Sequence, residues 1–584
     1  MSNSADAHVN THHCDVLVIG SGAGGFSAAI TARKLGLDVL MTEKEAWFGG
    51  TTALSGGWLW IPCNPLAQKA GIIDSLDKAR EYLLGEMGES QSTPNAKERI
   101  DAFLAAGPRM VDFFQRETEV RFLLGADYPD YHPQRSGALA GGRAICAEPF
   151  EGLQLGKNLS KLRPPVREMT LFGIKVGSGP DFRHFCNATR SLRSALYVFG
   201  RVMRHIFDVA LHGRDLMMMS GNALVARLAK TAFDLGIPIW LDAPAVELIN
   251  ENGRVVGARI KQKGQMVNVM ARLGVVLAAG GFPHDLERRK KLFAHAPIST
   301  EHYSLASPGN NGDGISMAES VGGHIAPGYS NAAAWMPVSR VTYRDGSSGI
   351  YPHSFERGKP GVIAVNSAGT RFTNESDSYH DVVRAMIDAK TSRTMGKGDQ
   401  PVAAFLVCDT RFIRRYGLGI AKPFPMPLSH WLRSGYLLSG NNLETLASKM
   451  DVDAVALSDT ITAFNNGAAI GTDPLYRRGE NAYNRYLGDK DYTPNPCLAP
   501  ITQAPFYAVK ILPGDLGTFM GLATDRDARV LDLQGSPIDG LYAVGTDMAS
   551  IFGGSYPGPG ANLGPAMTFG FLCAEHIARK RNEN

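Results

Sequence analysis

The sequence CDVLVIGSGAGG, residues 14–25, decides the fold of the N-terminal part of this chain. Cys14 to Ile19 is a short apolar run that is typical of a β-strand, and the glycine motif G-x-G-x-x-G follows directly, from Gly20 to Gly25. The small and apolar residues from Phe26 to Leu35 then predict a helix. A strand, a glycine loop and a helix in this order predict a dinucleotide-binding unit with a parallel sheet.

The next segment supports the same prediction. A second strand is expected from Asp38 to Thr42, and the acidic Glu43 follows it. Glu43 is expected to accept hydrogen bonds from an adenosine ribose. Gly20 permits the tight turn, Gly22 lets the backbone approach a pyrophosphate, and Gly25 allows close packing of helix on strand. A plain βαβ unit without a nucleotide is the alternative.

Composition excludes several classes of protein. The chain has 584 residues, 44% of them apolar and 20% charged, which is ordinary for a globular protein of two or more domains. A net charge of +4 gives no reason to expect nucleic acid as a partner. The seven cysteines include no C-x-x-C pair, and they stand at positions 14, 63, 146, 186, 408, 497 and 573. With a polar N-terminus and no long apolar run, they favour a cytoplasmic protein without a metal site.

A second glycine-rich stretch follows soon after the first. Residues 48–57 read FGGTTALSGG, and small and hydroxyl residues at this density suit a backbone that lies against a flat ring and its phosphates. Enzymes that use NAD have no need of a second such loop so soon, whereas flavin enzymes do. This stretch therefore favours FAD over NAD.

With Glu43 and the first glycine loop, residues 48–57 resemble the FAD domain of the fumarate reductase and 3-ketosteroid dehydrogenase superfamily. Residues 275–282 (VVLAAGGF) and 540–547 (GLYAVGTD) are similar to later parts of the same domain. The resemblance therefore covers nearly the whole chain.

It implies an α/β fold: a Rossmann-like FAD-binding domain with an inserted α+β substrate domain. The expected divisions are 1–283 for the first part of the FAD-binding domain, 284–486 for the inserted catalytic domain and 487–584 for the second part. Residues 505–508 are expected to begin a strand of that second part.

The resemblance also implies a set of residues around FAD, with Asp547 reaching the ribityl chain. The expected residues are Gly20, Gly22, Ala23, Gly24, Gly25, Glu43, Lys44, Gly50, Thr51, Thr52, Ser55, Gly56, Gly57, Val246, Ala279, Gly280, Gly545, Asp547, Asn562 and Leu563. Some members of the superfamily tether FAD through a histidine near the position of Ser55. No histidine stands there, so non-covalent FAD is expected.

A third glycine-rich turn lies near the C-terminus. Residues 554–567 read GSYPGPGANLGPAM, and a helix is expected from Ala566 to Ala578. A glycine turn that opens a helix offers unpaired backbone N–H groups. Tyr556, four residues ahead of Gly560, adds a hydroxyl, so the turn is a candidate two-donor oxyanion hole. The alternative is a loop that only caps the helix and packs on the cofactor.

Two substitutions bear on the chemistry. In flavin fumarate reductases, a run similar to residues 369–375 (GTRFTNE) is followed by a proton-donating arginine; here Tyr379 stands at that place. Those reductases also carry an arginine in a C-terminal N-R-L-G-G turn, where this chain has Asn562 to Pro565 (NLGP). A dicarboxylate would lose both charged partners, so fumarate is a poor candidate substrate.

The replacements resemble the 3-ketosteroid Δ1-dehydrogenases instead. Their Y-P-G-x-G, N-E-x-x-x-Y and P-D-Y motifs match Tyr556 to Gly560, Asn374 to Tyr379 and Pro129 to Tyr131. The resemblance implies the 1,2-dehydrogenation of a cyclic ketone, most like a 3-ketosteroid, with an external electron acceptor of unknown identity.

In this mechanism Tyr379 removes the α proton, Tyr131 stabilises its phenolate, and the β hydride goes to flavin N5. Tyr556 and Gly560 stabilise the enolate oxygen. The alternatives are a desaturase of a smaller ring such as cyclohexanone, and a flavoprotein subunit that docks to a membrane electron-transfer complex.

Other segments carry weaker predictions. Residues 96–125 look helical, and residues 237–248 and 255–261 look like strands. The tyrosines and the histidine of residues 127–133 favour a site lining over a core.

Residues 187–206 have basic and apolar residues at helical spacing: Arg190, Arg193, Arg201, Arg204, Leu192, Leu196, Phe199 and Ile206. Such a segment either lies on an anionic membrane surface or covers the domain with its apolar face; the sequence favours the cover. The expected location is therefore cytoplasmic, with peripheral contact at the inner membrane face as the second possibility.

Overall fold

The computed structural model describes residues 10–88, 95–177, 181, 184–185, 187–188, 190–295, 301–391 and 402–583. Its strands are β1 (Asn10–Ile19), β2 (Val39–Thr42), β3 (Trp58–Trp60), β4 (Phe122–Gly125), β5 (Ala144–Ala147), β6 (Phe150–Glu151), β7 (Thr170–Leu171), β8 (Ile174–Lys175), β9 (Met217–Met218), β10 (Ile239–Trp240), β11 (Ala245–Glu251), β12 (Arg254–Gln262), β13 (Gln265–Leu277), β14 (Tyr303–Ser304), β15 (Ala333–Thr342), β16 (Ser348–Pro352), β17 (Val362–Asn366), β18 (Ala404–Cys408), β19 (Leu438–Gly440), β20 (Phe506–Thr518), β21 (Arg529–Leu531) and β22 (Pro537–Ala543).

The helices of these residues are α1 (Ala23–Lys34), α2 (Gly50–Leu54), α3 (Pro65–Lys69), α4 (Leu76–Met87), α5 (Ala96–Glu117), α6 (Leu192–His212), α7 (Ser220–Asp234), α8 (Leu286–Leu292), α9 (Asp313–Glu319), α10 (Tyr379–Thr391), α11 (Thr410–Tyr416), α12 (Ser429–Arg433), α13 (Leu443–Met450), α14 (Ala454–Ala469), α15 (Ala482–Leu487) and α16 (Leu563–Glu583). Short 3₁₀ helices lie at Gly152–Lys161, Arg167–Met169 and Glu356–Gly358.

The first large sheet is built around β1. Its order is β10–β2–β1–β13–β12–β22–β21, with β11 paired to β12. β1 runs parallel to β2 and to β13, and β13 runs parallel to β22. Val16, Leu17 and Val18 are all buried, which is why β1 is a continuous apolar run and not an alternating one. This is the predicted dinucleotide-binding sheet.

The first and last helices of this part pack directly on each other. Gly570 of α16 lies so close to α1 that a Cβ there would be 2.5 Å from the Gly24 carbonyl oxygen. Ser27 of α1 donates a hydrogen bond of 2.6 Å to the carbonyl of Met567. The beginnings of both helices therefore lie side by side at one end of the sheet.

The second large sheet is formed by residues between Tyr303 and Thr518. Its order is β16–β15–β20–β18–β17, and β14 and β19 also pair with β20. The β15, β18 and β19 pairings with β20 are antiparallel, and the β14 pairing is parallel. Smaller sheets join β3 to β5 and β4, β6 to β9, and β7 to β8.

The predicted order of strand, glycine loop, helix and strand is confirmed by β1, α1 and β2, and the predicted C-terminal helix by α16. The helix predicted over residues 96–125 is partly wrong. α5 ends at Glu117, and Phe122–Gly125 forms β4 instead, because it pairs with β5, a partner too distant in sequence for local pattern to reveal.

The strand predicted over residues 237–248 is likewise interrupted. β10 ends at Trp240 and β11 begins at Ala245, and between them Asp242 has a left-handed φ of 51° that no regular strand accommodates.

Strand β20 differs in position from the sequence interpretation. Residues 505–508 do begin a strand, but among the residues that the structure describes β20 pairs with strands of the second sheet and not with the FAD-binding sheet. By strand pairing the second sheet therefore extends to Thr518, beyond the division placed at residue 487. The division of the chain at 283 and 487 stays a prediction.

Helix α6 contradicts the interpretation that the sequence favours for residues 187–206. Leu196 and Phe199 are 62% and 63% exposed, whereas Arg201 is buried in an ion pair of 2.7 Å with Asp181. Arg204 pairs with Glu151. The apolar face of this helix points outward, so α6 does not cover the domain with it.

No helix among the described residues is long and apolar enough to cross a membrane.

Candidate active site

Three tyrosines from distant parts of the chain meet in one buried cluster. Tyr131 lies in the loop after β4, Tyr379 is the first residue of α10, and Tyr556 lies in the turn before α16. The Tyr131 and Tyr556 rings stack with centroids 5.6 Å apart, and the Tyr379 ring meets them edge-on at 5.6 and 5.2 Å. Tyr131 donates to the Tyr379 hydroxyl over 3.2 Å, a long hydrogen bond. All three tyrosines that the sequence predicts as catalytic are therefore in contact.

Burial controls the ionisation of these hydroxyls. It raises the pKa of Tyr379 and of Tyr131 well above the usual value of tyrosine, and the pKa of Tyr556 to about 12. The hydrogen bond from Tyr131 lowers the pKa of Tyr379, but it does not offset the lost hydration. All three side chains are therefore neutral at pH 7 in the protein alone.

The sequence analysis missed a second layer of tyrosines around this cluster. Tyr483 and Tyr486 lie on α15; the Tyr483 ring is 4.6 Å from Tyr131, and the Tyr486 ring stacks on Tyr128 at 4.5 Å. Their spacing of three residues, which puts both on one face of a helix, is the signal that could have identified them. This layer packs against the rings of Tyr128 and Tyr131.

The turn before α16 holds Gly560 in a conformation that requires glycine. Its φ is 93°, and a Cβ there would lie 2.3 Å from the Trp58 carbonyl oxygen. Its own carbonyl accepts from the Trp60 N–H at 3.2 Å, whereas its N–H has no acceptor among the described residues. Pro557 anchors the turn, because its carbonyl accepts from the Tyr131 N–H at 2.9 Å. The Gly560 N–H is thus available to a ligand.

The aspartate of the P-D-Y motif has a structural task. Asp130 is buried and accepts hydrogen bonds from Trp60 Nε1 and Leu139 N at 2.8 and 2.9 Å. It also forms an ion pair of 2.8 Å with Arg143. Asp130 therefore fixes the loop that carries Tyr131.

The first glycine loop opens helix α1. Its N-cap residue, Gly22, has no side chain to cap the helix, and the first turn contains no acidic residue. α2 likewise begins after Gly49 without a side-chain cap. Thr52 of α2 joins the two, because its Oγ1 accepts from the Ala23 N–H at 3.0 Å. Adjacent helix N-termini of this kind favour an anion such as a pyrophosphate.

Packing explains the remaining glycines of the loop. A Cβ on Gly20 or on Gly25 would lie 2.1 Å from a backbone carbonyl oxygen, and Gly24 packs against the backbone of Gly545. Gly545 has a φ of 65°, and apart from its chain neighbours no atom of the described residues lies within 4 Å of the place where its Cβ would stand. Glycine is therefore dictated here by backbone contact as much as by a ligand.

Glu43 lies at the end of β2, as predicted. Its carboxylate accepts from Ser21 Oγ at 2.5 Å and from Ser21 N at 3.2 Å, and burial raises its pKa despite these bonds. Its remaining acceptor capacity suits a ribose hydroxyl. Lys44 instead forms an ion pair of 2.5 Å with Asp313.

The second glycine stretch contacts the loop after β14. Thr51 Oγ1 accepts from Ser307 N at 2.9 Å and from Asn310 Nδ2 at 3.0 Å. Ser55 Oγ accepts from Gly57 N at 3.0 Å, and Gly56 completes the turn. Gly50 has open space where a side chain would stand.

Asp547 joins two strand ends. It is fully buried and accepts from Ala279 N and Gly281 N at 2.5 and 2.8 Å, and burial raises its pKa to about 6. Gly280, between them, has no room for a side chain beside Asn310. Asn310 was missed by the sequence analysis, because it lies in a loop without a motif.

The last predicted cofactor residues lie outside the glycine loops in sequence. The pairing of β11 with β12 shifts register around Val246, which places that residue at a β-bulge. Asn562 and Leu563 are half-buried at the start of α16.

These residues fit FAD. The adjacent helix N-termini suit its pyrophosphate, Glu43 suits its ribose, and the open space at Gly50 and Gly545 leaves room for the cofactor against the backbone. The role of each residue toward FAD stays a prediction.

The FAD binding domain family matches residues 15–563 of this chain. A 4-oxocyclohex-2-ene-1-carboxylate 5-dehydrogenase of Sinomonas cyclohexanicum is 40% identical over 97% of this chain and 94% of its own length. A 3-oxosteroid 1-dehydrogenase of Mycobacterium tuberculosis (strain ATCC 25618 / H37Rv) is 37% identical over 97% and 98%. The crystal structure of the 3-ketosteroid delta1-dehydrogenase of Sterolibacterium denitrificans in complex with 1,4-androstadiene-3,17-dione is similar with a TM-score of 0.89 at 36% identity, covering 98% of this chain and 100% of that chain.

We expect acid precipitation of the purified protein to release its FAD into the supernatant. The reason is that residues 48–57 contain no histidine, cysteine or tyrosine to which a flavin could be tethered. Fluorescence of the supernatant and the mass of the precipitated chain measure the two fractions. Flavin in the pellet, with a chain mass increased by that of FAD, would contradict a non-covalent site.

Proposed function

The chain belongs to the FAD binding domain family, and we propose that it removes two hydrogens from adjacent ring carbons of a cyclic ketone. The observation that carries this proposal is the buried contact of Tyr131, Tyr379 and Tyr556 beside the available N–H of Gly560. A base and two oxyanion donors are what the α,β-desaturation of a ketone needs.

In this proposal Tyr556 and the Gly560 N–H bind the ketone oxygen. Removal of the α proton moves negative charge onto that oxygen, and each donor stabilises the charge by about 2.7–4 kcal/mol. Tyr556 suits this role, because a pKa of about 12 keeps its hydroxyl protonated and able to donate.

Tyr379 is proposed to take the α proton. A free tyrosine needs about 4 kcal/mol to be ionised at pH 7, and burial increases this cost at Tyr379. Tyr131 reduces the cost, because its hydroxyl donates to the Tyr379 oxygen. Tyr131 therefore increases the fraction of Tyr379 that is present as phenolate. The oxyanion donors lower the free energy of the enolate that forms when the α proton moves to that phenolate.

FAD is proposed to be held by the first glycine loop, Glu43, residues 50–57, the 279–280 and 545–547 segments, Val246 and the start of α16. When bound, FAD accepts the hydride that leaves the β carbon. The tyrosines of the outer layer exclude water from this site, which strengthens the hydrogen bonds inside it.

The substrate ring is proposed to be that of a 3-ketosteroid or of a single-ring ketone. The relatives include dehydrogenases of both, and the single-ring relative is the more similar by sequence, at 40% against 37% identity. We propose that the electrons pass to an external acceptor. The third reading, a flavoprotein subunit that acts only when docked to a membrane complex, predicts no reaction of the isolated chain.

Anaerobic titration of the purified holoprotein tests the proposed function. We expect loss of the oxidised-flavin absorbance on addition of a 3-ketosteroid or of 4-oxocyclohexanecarboxylate, with one equivalent of unsaturated ketone formed per flavin. Fumarate added to the reduced protein should not reoxidise it, because no arginine stands at position 379 or in the 562–565 turn. No bleaching by either ketone would contradict the proposal.

We expect Tyr379→Phe to lower the rate constant of flavin reduction by about 10²–10⁴, because the general base is lost, while the ketone still binds. Tyr556→Phe should lower it by about 10²–10³ and also weaken ketone binding, because a donor to the carbonyl is lost. Stopped-flow flavin reduction measures both. Tyr492→Phe, outside the cluster, serves as control, and a wild-type rate in Tyr379→Phe would place the base elsewhere.

We expect Tyr131→Phe to cost less and to shift the pH profile upward. The Tyr131 hydrogen bond lowers the pKa of Tyr379, so its loss raises that pKa, and more alkaline solution is needed to form the base. The measurement is the rate constant of flavin reduction across the alkaline range. An alkaline rise that moves to lower pH would contradict the assigned roles.

A cytoplasmic location with peripheral membrane contact is the second part of the proposal. Helix α6 supports it, because Leu192, Phe199 and Leu211 are 78%, 63% and 75% exposed. Phe172, 75% exposed at the tip of the β7–β8 hairpin, extends this patch, since the adjacent Gly173 lies against the His205 ring of α6. Two elements thus present large apolar side chains to the same surface.

Charge favours an anionic lipid bilayer as the occupant. Arg190 and Arg193 are exposed at the N-terminal end of α6, while its acidic Asp208 is turned inward toward Arg204. Apolar side chains with basic residues at their border are typical of helices that lie in a membrane interface. A protein partner has no comparable support.

We expect the wild-type protein to float with vesicles that contain anionic lipid at low salt, and Leu196→Glu/Phe199→Glu to stay at the bottom of the gradient, because charges would enter the acyl region. Val455→Glu/Ile470→Glu, which also replaces two exposed apolar side chains, is the matched control and should float. Wild-type protein that stays at the bottom would leave α6 without a membrane role.

A further inference from the structure

His132 occupies an unusual place directly after Tyr131. Its Nδ1 lies 2.8 Å from Glu86 Oε2 and its Nε2 lies 2.7 Å from Asp381 Oδ2, with only 16% of the side chain exposed. The residues 127–133 were expected to line a site, but this histidine is turned away into an ion cluster. Neither carboxylate belongs to the site described above.

One carboxylate connects His132 to the segment of Tyr379. Asp381 is the third residue of α10, of which Tyr379 is the first. It also accepts from Ser378 Oγ at 2.5 Å, so one hydrogen bond joins the residue before Tyr379 to the second residue after it. The position of Asp381 is thus tied to the backbone that carries Tyr379.

The other carboxylate connects His132 to the segment of Tyr556. Glu86, fully buried near the end of α4, accepts from Ser555 Oγ at 2.6 Å. Ser555 directly precedes Tyr556. Tyr82 of the same helix donates to the Pro557 carbonyl at 2.6 Å. Its hydroxyl also accepts from the backbone N–H of His132 at 3.3 Å.

The charge of His132 makes these connections strong. Burial alone would lower its pKa, but Asp381 and Glu86 outweigh burial and raise it to about 10. The same contact holds the pKa of Asp381 below its usual range against the effect of burial. At neutral pH the imidazolium thus bridges two buried carboxylates. Among the described residues, its removal would leave Glu86 paired only with Arg135 and Asp381 only with Arg384, so the bridge between the two carboxylates would be lost.

We propose that His132 is a positioning residue that holds the three tyrosine-bearing segments in register for proton removal. It is covalently next to Tyr131, and its two ion pairs reach the segments of Tyr379 and Tyr556. Only the kinetic part of this proposal rests on the proposed function.

The alternative is an ion cluster that only stabilises the fold. It predicts a lower thermal midpoint in variants with an unchanged rate constant of the folded enzyme. A positioning role predicts a lower rate constant with nearly unchanged ketone affinity, because small displacements of reacting groups cost rate more than binding.

The experiment compares holoenzyme variants of equal FAD content. We expect His132→Gln, which has no charge and cannot reach both carboxylates, to lower the rate constant of flavin reduction by about tenfold to a hundredfold. His132→Arg, which can bridge two carboxylates, should recover most of that loss. The dissociation constant of the ketone should change by less than about threefold in both variants, as expected when orientation is lost but contacts remain.

Arg135→Gln is the matched control. Arg135 forms an ion pair of 2.6 Å with the same Glu86, but it is 44% exposed and does not contact Asp381. Its loss removes charge from the cluster without separating the segments, so a rate close to wild type is expected. Asp381→Asn combined with His132→Gln should be no slower than His132→Gln alone, because the link between His132 and Asp381 is already lost in His132→Gln.

Amide hydrogen exchange of the same variants supplies a readout that needs no turnover. His132→Gln should increase exchange in residues 131–133, 379–386 and 554–557 together, and Arg135→Gln should not. Wild-type exchange in all three segments of His132→Gln, or a wild-type rate constant, would overturn the proposal. If the wild-type protein reduces no flavin with any ketone, the proposed function fails and the exchange experiment still decides the role of His132.

Discussion

The close contact between α1 and α16 is the constraint on which the site depends. The two helices come from opposite ends of the chain, and they approach until the Gly24 carbonyl meets Gly570 and Ser27 bonds to the Met567 carbonyl. Glycine is needed there because any side chain would separate the helix axes. This contact places the glycine loop at residues 20–25 beside the turn that carries Gly560, so the predicted cofactor loop and the proposed oxyanion donors lie close together.

Burial gives the tyrosine cluster both its precision and its difficulty. Excluding water fixes the three rings against each other and keeps Tyr556 protonated, which suits a donor. The same exclusion raises the pKa of Tyr379 and opposes its use as a base. A tyrosine base therefore depends on a second hydroxyl, and Tyr131 stands where it can donate. In the contact of the three phenols, the loss of hydration raises the pKa of Tyr379 and the hydrogen bond from Tyr131 lowers it.

Much of this could be predicted from the sequence, for a physical reason. The glycine loops and the three tyrosine motifs are local signals: backbone contact or a turn dictates each residue, so Gly20, Gly25 and Gly560 stand out without a structure. Tyr483, Tyr486, Asn310 and the ion pairs of His132 could not be found in the same way, because tertiary contacts alone give them meaning. The predicted orientation of α6 was wrong because helical periodicity shows that a helix has two faces but not which of them faces the solvent. Likewise, β4 and β20 depend on partners far away in sequence.

Gly560 also limits how this site can change during evolution or in the laboratory. Its N–H is an oxyanion donor in the proposed mechanism, but no side chain fits at this position beside the Trp58 carbonyl. Substitution of Gly560 itself therefore cannot change the position of this N–H donor without a clash. Variation in how the ketone oxygen is held must enter through the neighbouring strand β3 or through Tyr556, and libraries intended to broaden the range of accepted rings should keep residue 560 constant and diversify around it.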